Sequence, residues 1–144
     1  MKLQPNSRHC FVCGLENKNG LHLRFYQTDE GDVIVETTVP DHFQGYPGIV
    51  HGGIVASLVD EALGRVHMGS AENPRFMFTA KMTVNYRKPV PTETPIRIVA
   101  HGIKSKRRSA TSVCSIYGPK GEKLAEADAV LVNVPEETLK NADL

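Results

Sequence analysis

Apolar and polar positions along this chain change period several times, and each change marks an element. Residues 21–26, Leu-His-Leu-Arg-Phe-Tyr, alternate apolar with polar side chains, and residues 33–39, Val-Ile-Val-Glu-Thr-Thr-Val, are largely β-branched. Asp29, Glu30, Gly31 and Asp32 supply a turn between them, so the pair is expected to form a hairpin. From Gly52 to about Met68 the period lengthens. Ile54, Val55, Leu58, Val59, Ala62, Leu63 and Val66 recur at the intervals of an amphipathic helix. Four strand-like runs follow, over residues 76–87, 96–104, 110–117 and 123–134, separated by turn signals at 89–95, 105–108 and 118–121. In the first run Phe76, Phe78, Ala80, Met82, Val84 and Tyr86 alternate with Met77, Thr79, Lys81, Thr83, Asn85 and Arg87; the first set is expected to face the core.

Two strands, one long helix and four strands describe an α+β domain in which the helix covers one face of an antiparallel sheet. Residues 1–20, punctuated by Pro5, Gly14, Asn17, Asn19 and Gly20, read as an irregular lead-in. Residues 21–135 then form a single domain, and 136–144 a polar tail that frays. A chain of 144 residues is long enough for one core that buries roughly two thirds of its unfolded surface.

Charge narrows the partners. Lys plus Arg number 17 and Asp plus Glu 16, a net charge of +1, which gives no general attraction to nucleic acid; an anionic ligand must be met by a local patch. No apolar run has the length of a membrane span, and the opening residues lack the apolar stretch of a secretory signal, so a soluble cytoplasmic protein is expected. Three cysteines are too few for a disulfide framework, in keeping with a reducing compartment.

The candidate chemistry lies on the helix. Gly52 and Gly53 open it, where backbone N–H groups without intrahelical partners can face a substrate oxygen, and Asp60 follows a little over two turns later. At about 100° per residue Gly53, Ser57, Asp60, Gly64 and His67 share one stripe, which surrounds the acid with small residues. A plainer reading is that these residues let the helix lie close to a neighbour, with Asp60 solvated or paired. An oxyanion donor and an acid together suggest acyl chemistry.

Residues 41–61, Asp-His-Phe-Gln-Gly-Tyr-Pro-Gly-Ile-Val-His-Gly-Gly-Ile-Val-Ala-Ser-Leu-Val-Asp-Glu, resemble the hotdog-fold acyl-CoA thioesterases of the phenylacetyl-CoA thioesterase type. The branch that also carries an N-terminal Cys-Phe-Val-Cys-Gly, here residues 10–14, is the most similar. Asn85, Tyr86, Arg87, Lys88 and Pro89, which close the strand after the helix, and the element order extend the resemblance over nearly the whole chain. It implies a hotdog fold, with one long helix wrapped by an antiparallel sheet of about five to six strands. It also implies hydrolysis of acyl-CoA to free acid and CoA, in a site shared across a homodimer or a dimer of dimers. No cofactor is implied, since coenzyme A is part of the substrate.

Carried onto this chain, the resemblance makes Gly52 the oxyanion donor and Asp60 either a nucleophile or the general base that activates water. Gln44 becomes a candidate for orienting the thioester or the water, where many relatives have an Asn closer to the His-Gly-Gly. His51 either contacts substrate or caps the helix. Gly53 and Thr79 would line the site, although strand parity turns Thr79 away from the helix unless a bulge intervenes. Arg87 and Lys88 at a strand end, and Lys106, Arg107 and Arg108 at a hairpin, are the two basic patches available to the CoA phosphates. Eight residues of helix rise about 12 Å, so Gly52 and Asp60 of one chain cannot converge on one carbonyl, and each chain is expected to hold two half-sites completed by a partner.

Two other readings exist. Residues 41–45 are similar to the His-Phe-Pro-Gly loop of acyl carrier protein dehydratases, which would make His42 a base and Glu61 an acid, though the intervening spacing is too long. A non-catalytic acyl-CoA sensor is the other. Cys10 and Cys13 provide half a zinc site, with Cys114 and His101 as distant completions in predicted strands; no metal is expected, and residues 10–14 read as a packed turn.

Overall fold

Alternation along the later strands is realised as one buried face. The computed structural model describes residues 1–140; residues 141–144, the end of the expected tail, lie outside the described residues. In chain order the elements are β1 (Lys2–Leu3), β2 (Tyr26–Gln27), β3 (Val33–Thr38), α1 (Gly52–Arg65), β4 (Met77–Tyr86), β5 (Pro95–Ser105), β6 (Ser109–Tyr117), β7 (Lys123–Asn133) and α2 (Glu136–Lys140). A 3-10 turn, Asp41–Phe43, precedes α1. All strands pair antiparallel in one sheet, ordered β1-β2-β3-β5-β6-β7-β4.

The sheet wraps α1 by giving it one apolar face per strand. Val33 and Val35 from β3, Ile96, Ile98 and Ala100 from β5, Cys114 and Ile116 from β6, and Ala125, Ala127, Ala129 and Leu131 from β7 are all buried in one cluster with Val55, Leu58, Val59, Ala62 and Leu63 of the helix. The three alanines of β7 are short enough to let the helix come close. One polar group in this face is satisfied, since the Ser112 hydroxyl donates to the Leu63 carbonyl at 3.0 Å.

Four expectations change. The sheet has seven strands rather than five to six, because residues Lys2–Leu3 of the lead-in add β1. The hairpin of residues 21–26 and 33–39 shrinks to Tyr26 and Gln27 against Ile34 and Val33. Leu21, Leu23 and Phe25 do bury alternately, but His22 has φ of 55°, and the Leu21 and Leu23 N–H groups donate to the Phe11 and Val12 carbonyls. The backbone of that segment is therefore committed to the lead-in rather than to β3. The helix also ends at Arg65, ahead of the expected Met68, and the polar tail begins with the short helix α2.

The lead-in is irregular but packed: Val12 and Cys13 belong to the core cluster. Arg65, only 3% exposed, holds it in place, stacking over the Phe25 ring at 4.3 Å and donating to the Pro5 carbonyl at 2.9 Å. The turn at residues 10–14 closes on glycine. A Cβ at Gly14 would lie 2.4 Å from Cys10 N and 2.6 Å from the Arg8 and Cys10 carbonyl oxygens, all backbone atoms with no flexible end to move. Gly14→Ala is expected to destabilise the protein by about 1–3 kcal/mol, the usual range for overpacking, read as a lower urea midpoint at unchanged slope.

The most consequential irregularity is in β4. Its register against β7 shifts between Thr79 and Lys81, leaving Ala80 as an extra, unpaired residue. A bulge of this kind reverses which face each side chain takes. Met77 and Thr79 precede it and face the helix, whereas Met82, Val84 and Tyr86 face the helix after it. The uniform alternation read from sequence is thus corrected in its first half, and Phe78, expected in the core, is 49% exposed.

Candidate functional site

Both ends of α1 meet β4, and a cleft opens at each. At the helix start His51 is the N-cap: its Nδ1 accepts from the Gly53 N–H at 2.9 Å, which satisfies one of the unpaired donors of the first turn. The ring therefore fixes the loop rather than reaching outward through that nitrogen, and the Gly53 N–H is occupied. The Gly52 N–H is different. It meets no acceptor among the described residues and is exposed. A Cβ at Gly52 would find only the Tyr86 ring, at 3.8 Å or more, an ordinary contact. The fold itself does not demand glycine at this position.

Tyr86 is the residue that sequence reasoning missed here. Its hydroxyl donates to the Gly52 carbonyl at 2.7 Å, which pins the helix start to the C-terminal end of β4. Gly52, Val55, Tyr46, Tyr86 and Lys88 line the adjoining cleft, of about 680 Å³. Gln44 is not among its lining residues; the Gln44 Oε1 accepts from the Gly48 N–H at 3.1 Å and braces the loop that leads to the helix. Arg87 lines the cleft and bonds Glu126 at 2.6 Å. Hydrogen bonds from Arg87 and Lys123 hold the half-buried Glu126 carboxyl below the usual carboxylate range. Lys88 makes no ion pair among the described residues, so its ammonium is the cation left available at this mouth.

The second cleft, of about 690 Å³, lies at the N-terminal end of β4 and contains Asp60, Gly64, Arg75, Phe78 and Thr79. The Thr79 hydroxyl donates to Asp60 Oδ1 at 2.6 Å. The bulge at Ala80 is what turns Thr79 to the acid, against the parity of the rest of the strand. A Cβ at Gly64 would meet nothing within 4 Å, so the small-residue stripe leaves the space beside Asp60 open.

Beside this cleft lies the second basic patch. Arg75, with no sequence signal to mark it, donates to Ser105 Oγ at 2.9 Å and to the Lys106 carbonyl at 2.6 Å, and so fastens the hairpin of Lys106, Arg107 and Arg108 to the cleft wall. Gly52 and Asp60 of one chain are thus in separate clefts, each with its own basic group.

His42 and Glu61 are not brought together. His42 lies in the 3-10 turn against Phe43, with ring centroids 4.3 Å apart, while Glu61 bonds Arg65 Nε at 3.0 Å in clefts that do not include His42. The zinc completions considered from sequence also fall elsewhere: Cys114 is buried in the sheet face, where desolvation pushes its thiol up to about 12, and His101 bonds Asp32 at 2.8 Å. Cys10 and Cys13 instead approach Glu61. The hydrogen bond from the Cys13 thiol draws Cys10 down to about 6, with burial opposing and the Cys13 and Val12 N–H groups assisting. The same bond, then burial, drives Cys13 upward.

Comparison with known proteins points one way. Acyl-coenzyme A thioesterase THEM4 of Bos taurus is 26% identical over 129 residues, covering 88% of this chain and 52% of that protein. The chain therefore spans about half the length of the curated relative it matches. A crystal structure of a thioesterase superfamily protein superposes with a TM-score of 0.77 at 27% identity, covering 87% of this chain and 60% of that one. A Streptococcus mutans protein solved bound to acetyl CoA shares the fold, with a TM-score of 0.69 at 21% identity and coverage of 78% of this chain and 88% of its own. Residues 47–125, which run from the loop before α1 to the start of the last long strand, match the family model of the thioesterase superfamily, and the chain belongs to that family.

Proposed function

We propose that the protein hydrolyses acyl-CoA thioesters to the free acid and CoA, in sites that two copies of the chain complete for each other. The observation that supports this best is the division of labour on β4. An unengaged N–H at Gly52 lies beside one end of the strand, and the Asp60–Thr79 pair beside the other. Among the described residues β4 is an edge strand, bonded only to β7, and it carries Phe78 and Tyr86, the latter 55% exposed. A long exposed edge of this kind invites pairing with another strand. A two-fold axis through the edge would pair β4 antiparallel with its copy, setting the Tyr86 end of one chain against the Thr79 end of the other. Gly52 of one chain would then face Asp60 of its partner.

In such a site the thioester carbonyl oxygen accepts from the Gly52 N–H, where the helix dipole favours the negative charge that develops on attack. Asp60 takes a proton from water as it attacks, or attacks the carbonyl itself to give an anhydride that water opens; in either case the C–S bond breaks and CoA leaves as a thiol. Thr79, by donating to Oδ1, leaves the second carboxylate oxygen to the reaction. The same pairing would bring Lys88 of one chain near the 106–108 hairpin of the other, so that both basic patches edge one mouth suited to the phosphates of CoA. The relative named as an acyl-coenzyme A thioesterase and the structural neighbour bound to acetyl CoA favour this substrate class. The unpaired thiols suit a reducing, cytoplasmic setting.

The test is release of free CoA thiol from a panel of aliphatic, aromatic and hydroxylated acyl-CoAs. Turnover of at least one class is expected. Hydration of an enoyl-CoA with no thiol release would instead make the protein a hydratase, and tight binding with neither reaction would make it a sensor.

A further inference from the structure

We propose that Cys10, Cys13 and Glu61 form a binding site for one soft divalent cation of the zinc type. The Cys10 Sγ, the Cys13 Sγ and a Glu61 carboxylate oxygen all lie within 4.8 Å of one another, the one such group among the described residues. A tetrahedral zinc ion sets its sulfur and oxygen ligands about 3.5–3.8 Å apart, so the three atoms need only small adjustments to share one.

The turn that carries the cysteines is built to present sulfur. The Cys10 N–H donates to the Ser7 carbonyl at 3.1 Å and the Gly14 N–H to the Cys10 carbonyl at 2.8 Å, which winds residues 7–14 tightly and brings both thiols to one side. The Cys13 N–H donates to the Cys10 Sγ at 3.4 Å, a contact that favours a thiolate over a thiol. Gly14 is required because three backbone atoms occupy the place of its Cβ. A buried structural cysteine pair would not need its backbone donors aimed at sulfur.

Glu61 comes from α1, about 100° around the helix from Asp60 and so facing the lead-in rather than the Asp60–Thr79 pair. Two thiolates and a carboxylate are an expensive group to desolvate together. A divalent cation and the Arg65 guanidinium, which bonds Glu61 at 3.0 Å, cancel that charge. Thiolate sulfur selects zinc or a similar soft ion over magnesium or calcium. The fourth position would open to a cleft of about 420 Å³ lined by Pro5, Ser7, Met68, Pro74 and Phe76, with room for water. Glu61 and Arg65 line both this cleft and the one containing Asp60, so the ion would clamp the lead-in to the helix segment that carries the acid. Its role would be positional, and its existence does not depend on which thioester, if any, is cleaved.

The full chain, purified without chelator, equilibrated with zinc and freed of excess, is expected to hold one zinc per chain by elemental analysis. Cobalt(II) in its place is expected to show thiolate-to-metal charge-transfer absorption. Glu61→Gln keeps the shape of the side chain but removes a ligand charge, and is expected to weaken zinc in chelator competition by more than the roughly 100-fold that loss of an outer-shell partner can cost at most. Cys13→Ser should abolish the charge-transfer band or reduce it by half. Substoichiometric metal in the wild type, zinc affinity unchanged in Glu61→Gln, or a mass lower by two hydrogens under non-reducing conditions, the mark of a disulfide, would each overturn the proposal. Wild-type stoichiometry and Glu61→Gln decide the matter even if the cysteine variants do not fold.

Discussion

Asp60→Asn is expected to lower the rate of CoA release at least ~100-fold, the scale set by losing a positioned acid–base group. The substitution is nearly isosteric, and the amide oxygen can still accept the Thr79 hydroxyl that now bonds Oδ1 at 2.6 Å. Folding stability should therefore stay close to wild type, and the loss belongs to the chemistry. In the proposed mechanism the carboxylate acts on the attacking water or on the carbonyl itself, so kcat and kcat/KM should fall together while substrate binding is retained. An unaltered kcat would remove Asp60 from the mechanism. A raised KM with unchanged kcat would make it a binding residue.

The second large effect is a recovery. Gly52→Pro removes the proposed oxyanion donor and should by itself cost about 10²–10³ in kcat. The backbone accepts the change, because Gly52 is the first helical residue, where proline is well tolerated, and His51 before it has φ of −54° and ψ of 138°, the extended conformation that proline imposes on its predecessor. Neither Asp60→Asn nor Gly52→Pro homodimers should turn over appreciably. A heterodimer of the two, co-expressed with different tags and purified through both, pairs an intact Gly52 with an intact Asp60 at one of its two sites. It is expected to regain about half the wild-type rate. Activity no higher than that of the parents would show that each chain works alone and would dissolve the shared-site reading.

Much of the fold was legible because the helix and the strands after it carry unmixed periods. Ile54 to Leu63 repeat at helical spacing, and Ile96, Ile98 and Ala100 of β5, Cys114 and Ile116 of β6, and Ala125, Ala127, Ala129 and Leu131 of β7 alternate with outward residues, so most of the buried face follows directly from pattern. The lead-in was not legible, since its backbone bonds join residues such as Phe11 and Leu21 that no local rule connects. The strand β4 misled for a related reason: a bulge at Ala80 changes facing without changing composition. In the candidate site the helix-borne Gly52 and Asp60 were visible from spacing. Tyr86 and Arg75 were not, because their roles depend on meeting the Gly52 carbonyl and the 105–107 hairpin across the fold. Glu61 as a partner for two cysteines was hidden in the same way, by the distance in sequence between a turn and a helix.

The extra residue at Ala80 has a bearing on how this strand can change. An exposed edge is ordinarily the most forgiving part of a sheet for insertion or loss of a residue. Here deleting Ala80 would restore the ladder to β7 and keep Met77 and Thr79, as well as Met82, Val84 and Tyr86, facing the helix, because the bulged residue is the one that interrupts an otherwise strict alternation. Such a deletion would preserve the facing of both the Thr79 hydroxyl on Asp60 and the Tyr86 hydroxyl on the helix start. The strand can thus shorten at Ala80 without turning a side chain over, and what it would lose is the local twist that the extra residue adds.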